Sequence, residues 1–206
     1  MNNKWSKVLF NLNSKIIPKT YTDILASNWM DDFRYRDAII QKQGFVLLAD
    51  DWIKPLANWI GARKCLEVMS GCGALAYSLI NNGVNITATD NFTWNGRSNW
   101  RDTDNYWCHI ENIDAVEAIR KYGSNVDIII MSWPDYESDM AYRCLCTMRE
   151  VNPNAMMIYI GEAPGGCTAD DNFFHAIDIV DCHEFDEMSD LYHTWSYLHD
   201  QLYLIK

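Results

Sequence analysis

From residue 64 onward, short apolar runs alternate with amphipathic stretches, and this alternation limits the fold more than any other feature. Lys64–Met69, 84–90 ("VNITATD"), 107–112 ("WCHIEN"), 126–132 ("VDIIIMS") and 156–160 ("MMIYI") read as strands. The stretches 176–182 ("AIDIVDC") and 201–206 ("QLYLIK") supply two more. Between them lie helices: Ala74–Asn82 closed by Gly83, 114–123 with Asp114 as cap and Gly123 as stop, and Met140–Val151. Strands separated by helices of about ten residues require crossovers, hence a mostly parallel sheet with helices on both faces. The expectation is a doubly wound α/β fold with seven strands.

The first sixty residues differ. "YTDILASNWMDDFRYRDAIIQKQGF" and "DDWIKPLANWIG" carry apolar residues at helical spacing, with Pro18 and Pro55 expected to interrupt them. Two regions follow: a helical N-terminal segment, 1–60, and an open-sheet domain, 61–206.

In such sheets, ligands bind beyond the carboxyl ends of the strands, where the strand order reverses. Polar and glycine residues gather at those ends. The first strand carries Glu67 and then Gly71 and Gly73, the second ends in Asp90 and Asn91, and Asp114 and Ala115 follow the third. The fourth ends in "SWPDY", Ser132 to Tyr136, and the fifth in "GEAPGG", with Glu162. Each residue type also has an ordinary use, since caps and turns favour them. Five loaded strand ends together read as one crevice. Gly71 and Gly73 let the backbone approach a ligand. Asp90, 19 residues beyond Gly71, stands where an acid accepts hydrogen bonds from ribose hydroxyls.

The order E-V-x-x-G-x-G, T-D, D-A, S-W-P and the late L-Y-L-I resembles the class I S-adenosylmethionine-dependent methyltransferases over residues 60 to 206. The resemblance implies S-adenosyl-L-methionine as cofactor. The glycine turn would hold its methionine portion with Glu67 beneath, Asp90 and Asn91 would take the ribose, and Asp114 with Ala115 the adenine. "SWPDY" is similar to the (Asn/Asp/Ser)-Pro-Pro-aromatic motif of amino-group methyltransferases. Ser132, Asp135, Tyr136 and Glu162 would then serve the chemistry, and Trp133, Pro134 and Trp94 the acceptor. Met69 stands where the usual first glycine would be, and Trp133 replaces the first proline.

A glycine turn followed by an acid about 20 residues on also describes an NAD site. Glu67 would repel the pyrophosphate of that ligand, whereas an ammonium tolerates it. A third reading is a binding protein on this fold that has lost the chemistry.

The formal charge of −11 argues against a general nucleic-acid surface and favours a neutral or cationic small molecule. The loop "NFTWNGRSNWRDTDNYW" (91–107) mixes indoles with Arg97 and Arg101 among acids, and is expected to pack and form part of a lid. Seven scattered cysteines without a CxxC pair give no metal site, and with no secretory signal or membrane-length apolar run they point to a reduced, cytoplasmic protein. His193, in "YHTWSYLHD", reads as a structural histidine. Oligomeric state is not legible.

Overall fold

The computed structural model describes residues 4–25, 29–93 and 105–206. Trp94, Trp100, Arg97 and Arg101, and with them most of the expected lid, lie outside the described residues.

Six strands form one sheet: β1 (Lys64–Val68), β2 (Asn85–Asp90), β3 (Glu111–Asn112), β4 (Ile128–Ser132), β5 (Met156–Gly161) and β6 (Gln201–Ile205). Their order is β3-β2-β1-β4-β5-β6, parallel except for β6, which runs antiparallel to β5. From β1 the chain winds outward to β3, then returns to the other side of β1 at β4. The order therefore reverses between β1 and β4.

The expected seventh strand does not form. Residues 176–182 lie along the free edge of β6 through one isolated bridge, Ile179 to Ile205, with Val180 N–H donating to the Leu204 carbonyl at 2.8 Å. Ile179 is 60% exposed with Asp178 and Asp181 flanking it, and Ile177 and Val180 are only partly buried, so the segment buries too little to hold a full ladder. β3 is likewise shortened to two residues.

Side-chain alternation along the strands builds two cores. Cys65, Ile128, Ile130, Ile158, Ile160, Leu202 and Leu204 face one side; Leu66, Val68, Ile129, Met131, Met157, Tyr159 and Ile205 face the other. Onto the second face pack α6 (Ala115–Tyr122), α7 (Met140–Val151) and α8 (Asp171–Ala176). Onto the first pack α1 (Lys4–Leu12), α4 (Asp50–Ile60), α5 (Ala74–Ile80) and α9 (His183–Ser189). Two further N-terminal helices, α2 (Thr22–Leu25) and α3 (Trp29–Gln43), complete that layer.

Pro55 does not interrupt its helix. α4 runs through it, because one lost i→i−4 bond is outweighed by burial of Trp52, Ile53, Leu56, Ala57 and Ile60. The N-terminal helices share their core with the sheet. Trp5 stacks on Trp195 at 5.3 Å, and the Trp52 ring meets Tyr192 edge-on at 5.1 Å. His193 sits in this junction, with Nε2 2.7 Å from Asp51 Oδ2.

Candidate functional site

A cavity of about 450 Å³ opens at the carboxyl ends of β1, β2 and β4, at the reversal point of the sheet. That volume is in the range of small-molecule and cofactor sites. The parallel register brings its walls together: Glu67 pairs with Ala88 on one side and Ile130 on the other, so the ends of all three strands share one rim.

Glu67 is 1% exposed and accepts the Ala76 N–H at 3.1 Å, near the start of α5. Burial raises its pKa to about 8, opposed by that hydrogen bond. After β1 the chain turns sharply through Gly71 and Gly73, both at positive φ. Asp90 holds this turn: one carboxylate oxygen accepts the Gly71 N–H at 2.8 Å and the other the Phe92 N–H at 2.6 Å. Burial pushes the Asp90 pKa up, against those two hydrogen bonds. Asp114 caps α6, accepting from Val116 N–H at 3.0 Å and from Asn91 Nδ2 at 3.4 Å.

Met69, Phe92 and Trp133 adopt positive φ (54°, 54° and 50°) although none is glycine. Each sits one or two residues beyond the end of a strand, and all three line the cavity. Left-handed backbone at a bulky residue is strained, and such strain concentrates at ligand sites. Trp133 is held from several directions. Its N–H donates to the Ile160 carbonyl at 2.8 Å, and its indole N–H donates to Asp200 Oδ2 at 3.1 Å. Phe45 stacks on its ring at 4.8 Å.

Glu67, Gly71, Asp90, Asn91, Asp114, Ala115, Ser132, Trp133, Pro134 and Asp135 thus line a single cavity. Gly73, Tyr136 and Glu162 do not. A Cβ on Gly73 would lie 2.8 Å from Cys108 Sγ, so this glycine serves the packing of the turn. Tyr136 is 53% exposed, with its hydroxyl donating to Glu137. The Glu162 carboxylate is turned into its own loop, accepting N–H bonds from Cys167 at 2.7 Å and His199 at 3.1 Å. Burial raises its pKa, but these backbone donors outweigh the effect and hold it below the usual range.

Sequence reasoning misses one wall altogether. Gln43, Gly44, Phe45 and Val46, from the end of α3 and the connection to α4, also line the cavity. Their only local signal is a helix stop at Gly44, φ 96°, followed by an aromatic. Among the described residues no cluster of His, Cys, Asp or Glu is arranged to hold a metal, and no helix is long and apolar enough to cross a membrane.

No protein-family model matches the chain. No curated protein matches it in sequence either. Solved structures that it resembles include methyltransferases, one of them with bound SAM. The mitomycin 7-O-methyltransferase MmcR is 11% identical over 98% of this chain and 68% of that one, TM-score 0.49. The magnesium protoporphyrin IX methyltransferase ChlM from Synechocystis PCC 6803, with bound SAM, is 10% identical over 99% and 92%, TM-score 0.48. TehB from Haemophilus influenzae is 16% identical over 83% and 66%, TM-score 0.46. Likeness at this level carries no chemistry across; the site has to supply it.

Proposed function

We propose that the chain is an S-adenosylmethionine-dependent methyltransferase acting on a small, amine-bearing acceptor. One observation carries the reading. The cavity at the reversal point is lined by Glu67, Asp90, Asp114 and Asp135, and among the described residues by no lysine, arginine or histidine. A ligand bearing a sulfonium and an ammonium suits that wall. The pyrophosphate of a dinucleotide would face Asp90, Asp114 and Asp135 with no cation among the described lining residues to offset them.

On this reading Asp90 and Asn91 take the ribose, and Asp114 with the Ala115 amide reads the adenine edge. The turn at Gly71 approaches the methionine portion, above Glu67. Ser132 and Asp135 face the acceptor, with Trp133 and Pro134 packed against it. The cofactor, when bound, would supply an activated methyl carbon for transfer to the acceptor nitrogen. The protein's part is to align the two groups and exclude water, and alignment alone is worth on the order of 7–11 kcal/mol. On this reading Asp135, whose Oδ1 also accepts the Glu137 N–H at 3.0 Å, receives the acceptor proton. Tyr136 and Glu162 have no part in this assignment.

The test is calorimetric titration with S-adenosylmethionine, S-adenosylhomocysteine and NAD, beside an Asp90→Ala variant. Binding of the first two, weakened in the variant, supports the reading. Binding of NAD alone would transfer the site to hydride chemistry. Binding without transfer to any acceptor would leave a cofactor-binding protein, the outcome to which the strained Met69 and the altered "SWPDY" are relevant.

A further inference from the structure

The segment after β5 grips the loop that carries Asp135. Thr168 and Asp135 form an isolated antiparallel bridge, and the Ala169 N–H donates to the Pro134 carbonyl at 3.0 Å. The Trp133 N–H donates to the Ile160 carbonyl at 2.8 Å, so residues 133–135 are all tied to the chain between 160 and 169. Both sides of this contact are strained. Trp133 and Ala169 stand at φ 50° and 54°, and neither is glycine. Such backbone persists only where its surroundings over-determine it.

Glu162 is at the centre of those surroundings. Residues 163–167 are exposed, but Glu162 and Thr168 at the two ends of this loop are 7% and 1% exposed. The Glu162 carboxylate accepts the Cys167 N–H at 2.7 Å and the His199 N–H at 3.1 Å. An added Cβ on Gly166 would lie 2.8 Å from its Oε2, so the carboxylate rests against the backbone of its own loop. The Glu162 N–H donates to Thr168 Oγ1 at 2.8 Å. The Tyr159 hydroxyl donates to the Glu162 carbonyl at 2.9 Å and lies 2.6 Å from Thr168 Oγ1. These bonds converge on Cys167 and Thr168, next to and within the bridge to Asp135. His199 also links the two sides of the grip, because its neighbour Asp200 accepts the Trp133 indole N–H at 3.1 Å.

We infer that Glu162 is a positioning residue, which through Cys167, Thr168 and Ala169 holds the Asp135 carboxylate where the acceptor nitrogen meets the methyl group. This rests on the cofactor and Asp135 assignments above. Glu162 itself touches neither cofactor nor acceptor. A buried carboxylate is a costly way to fill a loop, and here its two oxygens fix two separate backbone segments around the Asp135 loop.

The test compares S-adenosylhomocysteine with sinefungin, the cofactor analogue that carries an ammonium where the transferred methyl would lie. The ratio of their dissociation constants reads the groups at that one point. Sinefungin should bind the wild-type chain about 10- to 100-fold more tightly, the range for hydrogen bonds to a charged group. Asp135→Asn should remove most of that preference. Glu162→Gln, which keeps one acceptor oxygen, should cut the preference by about 3- to 10-fold and leave S-adenosylhomocysteine affinity unchanged. Thr168→Val should do the same with the Glu162 carboxylate intact, and it decides the matter if Glu162→Gln does not fold. A preference that survives in these two variants while Asp135→Asn abolishes it would overturn the inference and keep both assignments. So would equal weakening of the two ligands, which marks a structural role alone. Equal binding of the two ligands to the wild-type chain would remove Asp135 from the transfer point, and the inference with it, while keeping the cofactor assignment. If neither ligand binds the wild-type chain, all of these fall together.

Discussion

Asp90 Oδ2 accepts the Gly71 N–H at 2.8 Å, so an acid at the end of one strand fixes the backbone turn after its neighbour. The carboxylate thus shapes the cavity before it meets any ligand. Asp90→Ala frees two backbone N–H groups, those of Gly71 and Phe92, and should cost about 1–3 kcal/mol of stability by urea unfolding. Ligand affinity should fall by more than tenfold in the same variant. Asp90→Asn keeps one acceptor oxygen and should recover part of the stability but little of the affinity.

Glu67 gives a pH signature. Its carboxyl titrates near 8 when folded against an ordinary 4.5, so the folded state holds a proton that the unfolded state has released. The stability this confers is complete below pH 4.5 and is lost as pH rises through about 8. Glu67→Gln should flatten that slope and make the ligand-free protein more stable at pH 9 by roughly 2–4 kcal/mol. A cationic ligand draws the proton off. Calorimetry at pH 7 in two buffers of different ionisation enthalpy should therefore show proton release on binding, absent in Glu67→Gln.

The buried carboxylate of Asp200 accepts from the indole of Trp133 and the hydroxyls of Tyr192 and Thr194. Burial raises its pKa against these three donors. Asp200→Ala leaves all three donors unpaired and should cost about 3 kcal/mol. Its near-ultraviolet circular dichroism should lose the signal of the immobilised Trp133–Phe45 pair while the far-ultraviolet spectrum is kept. An unchanged near-ultraviolet spectrum would show that the Phe45 stack alone fixes the ring.

The two glycines of the turn should separate cleanly on substitution. Gly71, φ 57°, has nothing within 4 Å of an added Cβ, whereas at Gly73, φ 71°, a Cβ meets Cys108 Sγ at 2.8 Å and Ile110 at 3.1 Å. Gly71→Ala carries left-handed strain alone, about 1–2 kcal/mol, and should impair ligand binding because the residue lines the cavity. Gly73→Ala adds overpacking of about 1–3 kcal/mol and should be the less stable of the two by thermal unfolding.

The strand-helix alternation and the polar residues at the strand ends were legible because both are local. Short apolar runs, buried almost throughout, mark β1, β4 and β5, and caps and glycines mark where each strand stops. Glu162 misleads for the same reason. As a type of residue at a strand end it matches Asp90, but the backbone N–H of Cys167 in its own loop and that of the distant His199 hold its carboxylate, which does not line the cavity. The 176–182 run misleads because its apolar pattern fits a strand, while the only edge available leaves Ile179 in solvent.

By itself the sequence determined a doubly wound sheet and an acidic set of residues at the carboxyl ends of its strands, since burial periodicity and chain reversal are properties of neighbouring residues. Tertiary structure alone decided which of those residues share a cavity and what closes it. The docking of Gln43 and Phe45 depends on contacts between residues far apart in the chain. Trp5, Trp52 and Trp195 are buried in the one core that joins the N-terminal helices to the sheet, and no local pattern in the chain specifies that meeting.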